Sequence, residues 1–246
     1  DVWKSYLATL KNKPFLLALV TYMLHMMGTN IVQAALLYYY KYIVWDGTGA
    51  DAASGEFAFA LMFFIVAALL FIPVWTLISK RIGKKWAYNL GMGLFAVAVL
   101  GVLFLAAGRG TWFMRALMFI AGIGFSTNYV MPFAIIPDTV ELDYAEHGIR
   151  REGVFYGLWN FINQLGVALA LALNGWVLGW FGYVPNVAQD GLSKLGIRLL
   201  VGPIAALFVV IGIVVLSFYP ITRKYYDERI LPKVAQRDAE AAAARK

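Results

Sequence analysis

Apolar residues run along this chain in long blocks, and six blocks are long enough to cross a bilayer. A hydrocarbon core of about 30 Å needs about 20 residues of helix. The stretches 15–43, 56–79, 86–107, 111–136, 153–181 and 197–219 meet that length. Between them lie turn residues or charge: the loop "WDGTGADAASGE", the basic hinge "SKRIGKK", the tight turn "GRGT" and the connection "GYVPNVAQDGLSKLG". The pattern predicts an all-α integral membrane protein, a six-transmembrane-helix bundle over residues 1–221 followed by a charged tail, 222–246. Asn12 is placed to cap the first helix, and Pro14 suits its first turn. The opening segment has no small-residue cleavage site, and the run from Phe15 is too long for a signal peptide. Gly91, Gly93, Gly122, Gly124, Gly166 and Gly175 sit inside spans, where small residues let helices approach closely. Pro73 and Pro132 are expected to kink their helices unless neighbours satisfy the freed carbonyls.

Polar side chains enter only some of the spans. The first carries Thr21, His25, Thr29 and Gln33 at four-residue spacing, with Asn30 beside them. Such spacing puts them on one drifting face. Ser126, Thr127, Asn128 and Tyr129 interrupt the fourth span; Asn160, Asn163, Gln164 and Asn174 mark the fifth. The second, third and sixth are almost wholly apolar between their ends. A polar group in hydrocarbon is costly, so these faces should meet partner helices or a wet cavity. A single amide is as well explained by helix-to-helix hydrogen bonding. Three polar faces together favour a shared cavity. His25 reads equally as a packed histidine or as a proton carrier.

Composition supports the membrane reading. Of 246 residues 61% are hydrophobic and 14% charged, against about 25% charged in a soluble domain. With no cysteine in the chain, disulfides and thiol chemistry are excluded. The net charge of +7 raises the question of nucleic acid. Its location answers it: 16 of 21 Lys and Arg fall on one side of the six spans, in residues 1–13, 80–85, 137–152 and the tail. Only Lys41, Arg109, Arg115, Lys194 and Arg198 fall on the other. The positive-inside rule makes the basic side cytoplasmic, with both termini there, and no nucleic-acid partner is expected. Enzyme chemistry has little support: the two histidines lie at different depths, and HExxH, GxSxG and Walker loops are absent. Neither a metal nor a cofactor site is expected.

One junction concentrates charge between two greasy stretches. "PDTVELDYAEHGIRREGVFYGLWNFINQLG" (137–166) closely resembles the hallmark between the tenth and eleventh helices of the glycoside–pentoside–hexuronide:cation symporters, the melibiose-permease branch of the major facilitator superfamily. "KNKPFLLALVTYML" (11–24) resembles the start of that family's seventh helix. "IPVWTLISKRIGKKWAYNLG" (72–91) resembles its connection from the eighth to the ninth helix, and "FYPITRKYYDERI" (218–230) its end after the twelfth.

The resemblance implies the carboxy-terminal six-helix half of a twelve-helix transporter whose other half is a separate bundle. It implies alternating-access transport of a sugar or glycoside in a bacterial inner membrane, with membrane lipid as the surroundings. An aromatic residue nine positions before the first junction Asp contacts sugar in that branch; the position here is Tyr129. Residues of the eleventh helix also line the site, at positions matching Trp159, Asn160, Asn163 and Gln164. Amides both donate and accept, as hydroxyl recognition requires. His25 and Gln33 complete the candidate substrate face. Where the family commonly has a Lys near its cation site, this chain has Gln164; of Na⁺ and H⁺ as coupling ion, this departure favours H⁺, or facilitated exchange, over Na⁺. Asp138, Glu141, Asp143, Arg150 and Arg151 are expected to form an ionic latch at the cytoplasmic mouth, against a merely solvated loop. The runner-up readings are a lysophospholipid transporter of the same superfamily and a stand-alone structural six-helix membrane protein.

Overall fold

The computed structural model describes residues 6–7, 9–44, 50–105 and 111–243. The tight turn at 108–110, Arg109 and the start of the Gly-rich loop at 45–49 lie outside the described residues. Every regular element among those described is helical. In chain order they are α1 (Lys13–Tyr39), α2 (Ala50–Ile82), α3 (Lys84–Leu105), α4 (Thr111–Phe125), α5 (Thr127–His147), α6 (Glu152–Trp180), α7 (Gly191–Leu199), α8 (Ala205–Ser217), α9 (Arg223–Tyr225) and α10 (Leu231–Ala243). Wider π turns at Tyr40–Val44, Leu200–Ile204 and Tyr226–Ile230 extend α1, join α7 to α8 and join α9 to α10.

Six helical runs are long and apolar enough to cross a membrane: Lys13–Val44, Ser54–Ile82, Lys84–Leu103, Thr111–His147, Glu152–Trp180 and Gly191–Ser217. The first is started as its sequence predicts. Asn12 accepts the Phe15 N–H at 3.0 Å, and Pro14 occupies the first turn, where its missing donor costs nothing. The fourth differs from expectation. The charged stretch that reads as a loop continues the helix to His147 and ends only at Gly148, whose φ of 71° stops it in the left-handed region. Two prolines, Pro132 and Pro137, are accommodated inside α5. The helix is interrupted instead at Ser126, and side chains serve the carbonyl freed there. Ile123 O accepts from Ser126 Oγ at 2.7 Å and from Trp75 Nε1 of α2 at 2.7 Å.

Packing forms an open row. α2 packs on α4, α4 on α3, α3 on α8, α8 on α1, and α1 on α6, with α5 crossing behind α1 and α3. Close approach sets this order. A Cβ at Gly122 would strike the Phe64 backbone of α2, and one at Gly124 would strike Gly91 and Phe95 of α3. Gly91 is filled by Thr127, and Gly166 lies against Met23 of α1. Gly93 and Gly175 do not serve this purpose: the first barely reaches Ile213, and the second faces open space. A large apolar core joins α1, α3, α4 and α8. A smaller cluster near the basic end joins Phe15, Leu19 and Tyr22 of α1 to Ile136 and Val140 of α5 and Phe155 and Trp159 of α6.

The two ends of the row stay uncovered. Only 17% of the most apolar stretch of α2 and 28% of that of α6 are buried, against 44–61% for the other four spans.

Candidate functional site

The polar stripe of α1 does not lie on one wet face. Thr21, His25 and Thr29 are buried, while Gln33 is exposed. Steps of four residues advance about 40° beyond a full turn, so the stripe winds from the core to the open side. Its buried hydroxyls bond backbone carbonyls, whereas both His25 ring nitrogens are buried with no hydrogen-bond partner among the described residues. Thr29 Oγ1 donates to His25 O at 2.9 Å, Asn30 Nδ2 to Met26 O at 2.8 Å, and Thr21 Oγ1 to Gly212 O at 3.5 Å. His25 stands edge-on to Tyr88, ring centroids 4.8 Å apart, and fills the space that Gly212 leaves in α8. Tyr88 in turn donates to Asn128 Oδ1, and Asn128 Nδ2 lies 3.6 Å from Met26 Sδ. The structure thus seats His25 in a packed polar cluster among α1, α3, α5 and α8, away from the open side.

Gln33 and Tyr129 are brought together. Both border one cavity of about 320 Å³ that opens between α1, α2 and the start of α5. Tyr129 is 60% exposed, with its ring edge-on to Phe125 at 5.3 Å. On α6, Trp159 is buried and stacks on Tyr22 of α1, centroids 4.1 Å apart and planes 15° from parallel. Asn160 and Gln164 are exposed, Asn163 half-buried with its Oδ1 buried and unpaired. An unpaired buried acceptor is costly unless something donates to it. No hydrogen bond among the described residues joins these α6 amides to Gln33 or Tyr129.

At the basic end the charged residues pair within the chain. Lys84 Nζ lies 2.7 and 2.8 Å from the two Asp138 oxygens and 2.8 Å from Ala134 O. Arg151 grips Asp143 through both nitrogens, Nη2 at 2.9 Å and Nε at 3.1 Å, and the Asp143 side chain is only 2% exposed. A fork of this kind is the strong form of the carboxylate bond. His147 Nδ1 also reaches Asp143, at 3.1 Å. Glu141 accepts from the Tyr226 hydroxyl. Arg150 lies over the Tyr144 ring at 4.4 Å and bonds Asp238 at 3.2 Å, and Tyr144 donates to Asp238 at 2.9 Å.

The tail therefore holds the junction from below. The tail helix α10 lies on the surface with no buried residue of its own, while Ile230 just before it is fully buried and α10 packs on α5. Burial first, then the bond to Glu141, raises the Tyr226 hydroxyl pKa above its ordinary value. At the opposite end Arg115 grips Glu56 at 2.6 to 3.2 Å, its guanidinium between Phe59 and Trp112. Sequence reasoning missed this pair, although an Arg just inside a span asks for a partner. It also missed Lys84, Tyr226 and Asp238 as partners of the junction, since their separations of 54 to 94 residues leave no local signal.

Comparison with known proteins settles the family. A family described as MFS/sugar transport protein matches residues 1–223. The chain belongs to this family. Within it, an uncharacterized symporter of Synechocystis sp. is 30% identical over 223 residues, covering 88% of this chain and 40% of that protein. A putative sulfoquinovose importer of Escherichia coli is 30% identical, covering 96% and 49%. A glucuronide carrier protein homolog of Escherichia coli is 28% identical, covering 92% and 48%. The MFS chain thus spans about half the length of the curated relatives it matches, and its six spans make it an integral membrane protein.

Proposed function

We propose that this MFS chain is the carboxy-terminal six-helix half of a secondary transporter that moves a sugar or glycoside by alternating access, coupled to Na⁺ or H⁺. The observation that carries the reading is the exposed polar set on otherwise membrane-length helices: Gln33 and Tyr129 at one cavity mouth, Asn160 and Gln164 on α6. In a bilayer such groups need water or a hydroxylated ligand. A flat phenol ring suits the C–H face of a pyranose, and amides suit its hydroxyls. Relatives named as a sulfoquinovose importer and a glucuronide carrier homolog point to the same substrate class. The uncovered faces of α2 and α6 are where the second half would seat. The positive-inside rule turns the basic end to the cytoplasm, and the bacterial relatives support an inner membrane as its location.

Asp138, Glu141, Asp143, Arg150 and Arg151 then form the cytoplasmic gate. Their pairing within the chain makes a rigid rim, against which charges of the other half close.

The deciding experiment is uptake into proteoliposomes by the full transporter carrying this unit. Sulfonated and carboxylated sugars are supplied under separate Na⁺ and H⁺ gradients. Gradient-dependent sugar uptake is expected, falling at least tenfold in Tyr129→Ala. Uptake of lysophospholipid but no sugar would replace this reading.

A further inference from the structure

The basic hinge gathers charge that the acids around it do not balance. Gly83, at φ 88°, turns the chain sharply and sets Lys80 and Arg81 of α2 near Lys84 and Lys85 of α3. The connection from α8 to α9 forms the facing wall of an open basin of about 740 Å³. Six basic residues line it, these four with Arg223 and Lys224, against two acids, Asp138 and Asp227. Both acids are engaged: Asp138 holds Lys84 at 2.7 Å, and Asp227 lies 3.8 Å from Arg223. Lys224 reaches Glu228 at 3.9 Å. Lys85 donates to Ser217 O at 3.2 Å and to Tyr219 O at 3.1 Å, which occupies its hydrogens and leaves its charge. Lys80 and Arg81 are exposed and form no ion pair among the described residues. Three positive charges around one basin are thus uncompensated.

The membrane side of the basin is apolar. Trp86 lines it and is 52% exposed, and Leu90 and Val97 continue the same exposed face of α3. Leu207, Ile211, Val214 and Phe218 share an exposed face of α8 that ends between the two carbonyls bonded by Lys85. In a bilayer such faces meet acyl chains, and an exposed Trp sits at the level of the headgroups.

We propose that this basin binds the phosphate headgroup of an anionic phospholipid, whose acyl chains lie along the exposed faces of α3 and α8. Arg81 is suited to grip two phosphate oxygens, and Lys80 and Lys85 add charge. A free phosphate shares the headgroup chemistry, and the adjoining apolar faces decide for the lipid. The assignment rests on the membrane spans and holds whatever substrate is carried.

The test titrates the full transporter in mild detergent with phosphatidylglycerol and phosphatidylcholine of equal acyl length, counting bound lipids by native mass spectrometry. Phosphatidylglycerol is expected to bind at least tenfold more tightly. Each basic residue is worth about fivefold, so Lys80→Gln should weaken its binding about fivefold, and Lys80→Gln with Arg81→Gln about 25-fold. Phosphatidylcholine binding should not move. Arg229→Gln with Lys233→Gln, on the exposed tail, should change neither lipid. In the unaltered protein a phosphatidylglycerol with a photoreactive headgroup should label residues 80–86, whether or not the variants fold. Equal affinity for the two lipids, an equal loss in the tail variant, or labelling confined to other segments would overturn the site. Ready displacement of phosphatidylglycerol by inorganic phosphate would overturn the lipid assignment in favour of a soluble anion.

Discussion

The two ends of this bundle are built by opposite rules. At the basic end, side chains from α3, α5, the junction and the tail close on one another, so Asp138, Glu141, Asp143 and Arg150 all have partners. On the open side near mid-span, Gln33 and Tyr129 are left exposed at the rim of an apolar cavity, and Asn160 is exposed on α6. One region is satisfied by the chain alone, and the other is complete only with something added. The difference separates residues that hold the fold from residues left available to a ligand, and mutation should separate them too.

The largest expected effect is at the closed end. Arg151→Ala leaves the Asp143 carboxylate buried with only His147 near it. Removing one partner of a buried pair costs about 3–5 kcal/mol, so thermal unfolding in detergent should shift far downward. A shift of a degree or less would show the closed end to be less closed than drawn. Glu56→Ala should cost less, about 1–3 kcal/mol, since that pair keeps nearly a fifth of each side chain in contact with solvent. Tyr226→Phe removes one hydroxyl from Glu141 and should cost about 1 kcal/mol. Its sharper signature is faster proteolysis of α10, because the tail loses one of its anchors on α5 and keeps only the Tyr144–Asp238 bond there.

The same contact has a pH sign. Tyr226 donates only when protonated, and its pKa is raised above the ordinary value of about 10. A group whose folded pKa is raised stabilises fully below its unfolded pKa and loses that contribution as pH rises through the folded one. Tail protection should therefore hold through neutral pH and fail only in strong alkali. Protection that fades between pH 7 and 9 would contradict the assignment. Smallest of all is Arg223→Ala, an exposed residue whose ion pair with Asp227 spans 3.8 Å; less than about 0.5 kcal/mol is expected. On the open side, by contrast, Gln33→Ala should leave unfolding within about 0.5 kcal/mol of the parent, and a larger loss would mean that Gln33 is structural.

Much of the architecture was legible because its signals are local. Asn12 and Pro14 announce a helix start, and apolar length alone marks the six spans. Gly122 and Gly124 were readable as contact points, though Gly175 carries the same signal and touches nothing. Polarity was a poorer guide. Thr21, His25 and Thr29 share the spacing of Gln33 but turn inward, because the helical repeat does not divide evenly into fours. The cavity left no trace in the sequence at all. Leu61, Ala98 and Leu117 look like any core residues, and only the packing of the helices shows that they line a cavity. The tail strap was equally hidden, since its bonds to Glu141 and Tyr144 cross more than eighty residues of chain.

Gly122 has one more consequence. It puts the α4 backbone directly on the Phe64 backbone of α2, and at the very next residue of α4 the Trp75 indole of α2 bonds Ile123 O at 2.7 Å. Rods touching spine to spine, with an indole bonded to the adjoining carbonyl, resist sliding past one another. Any rocking of this bundle must carry α2 and α4 as a single plank, with the give supplied by the joints at its margins.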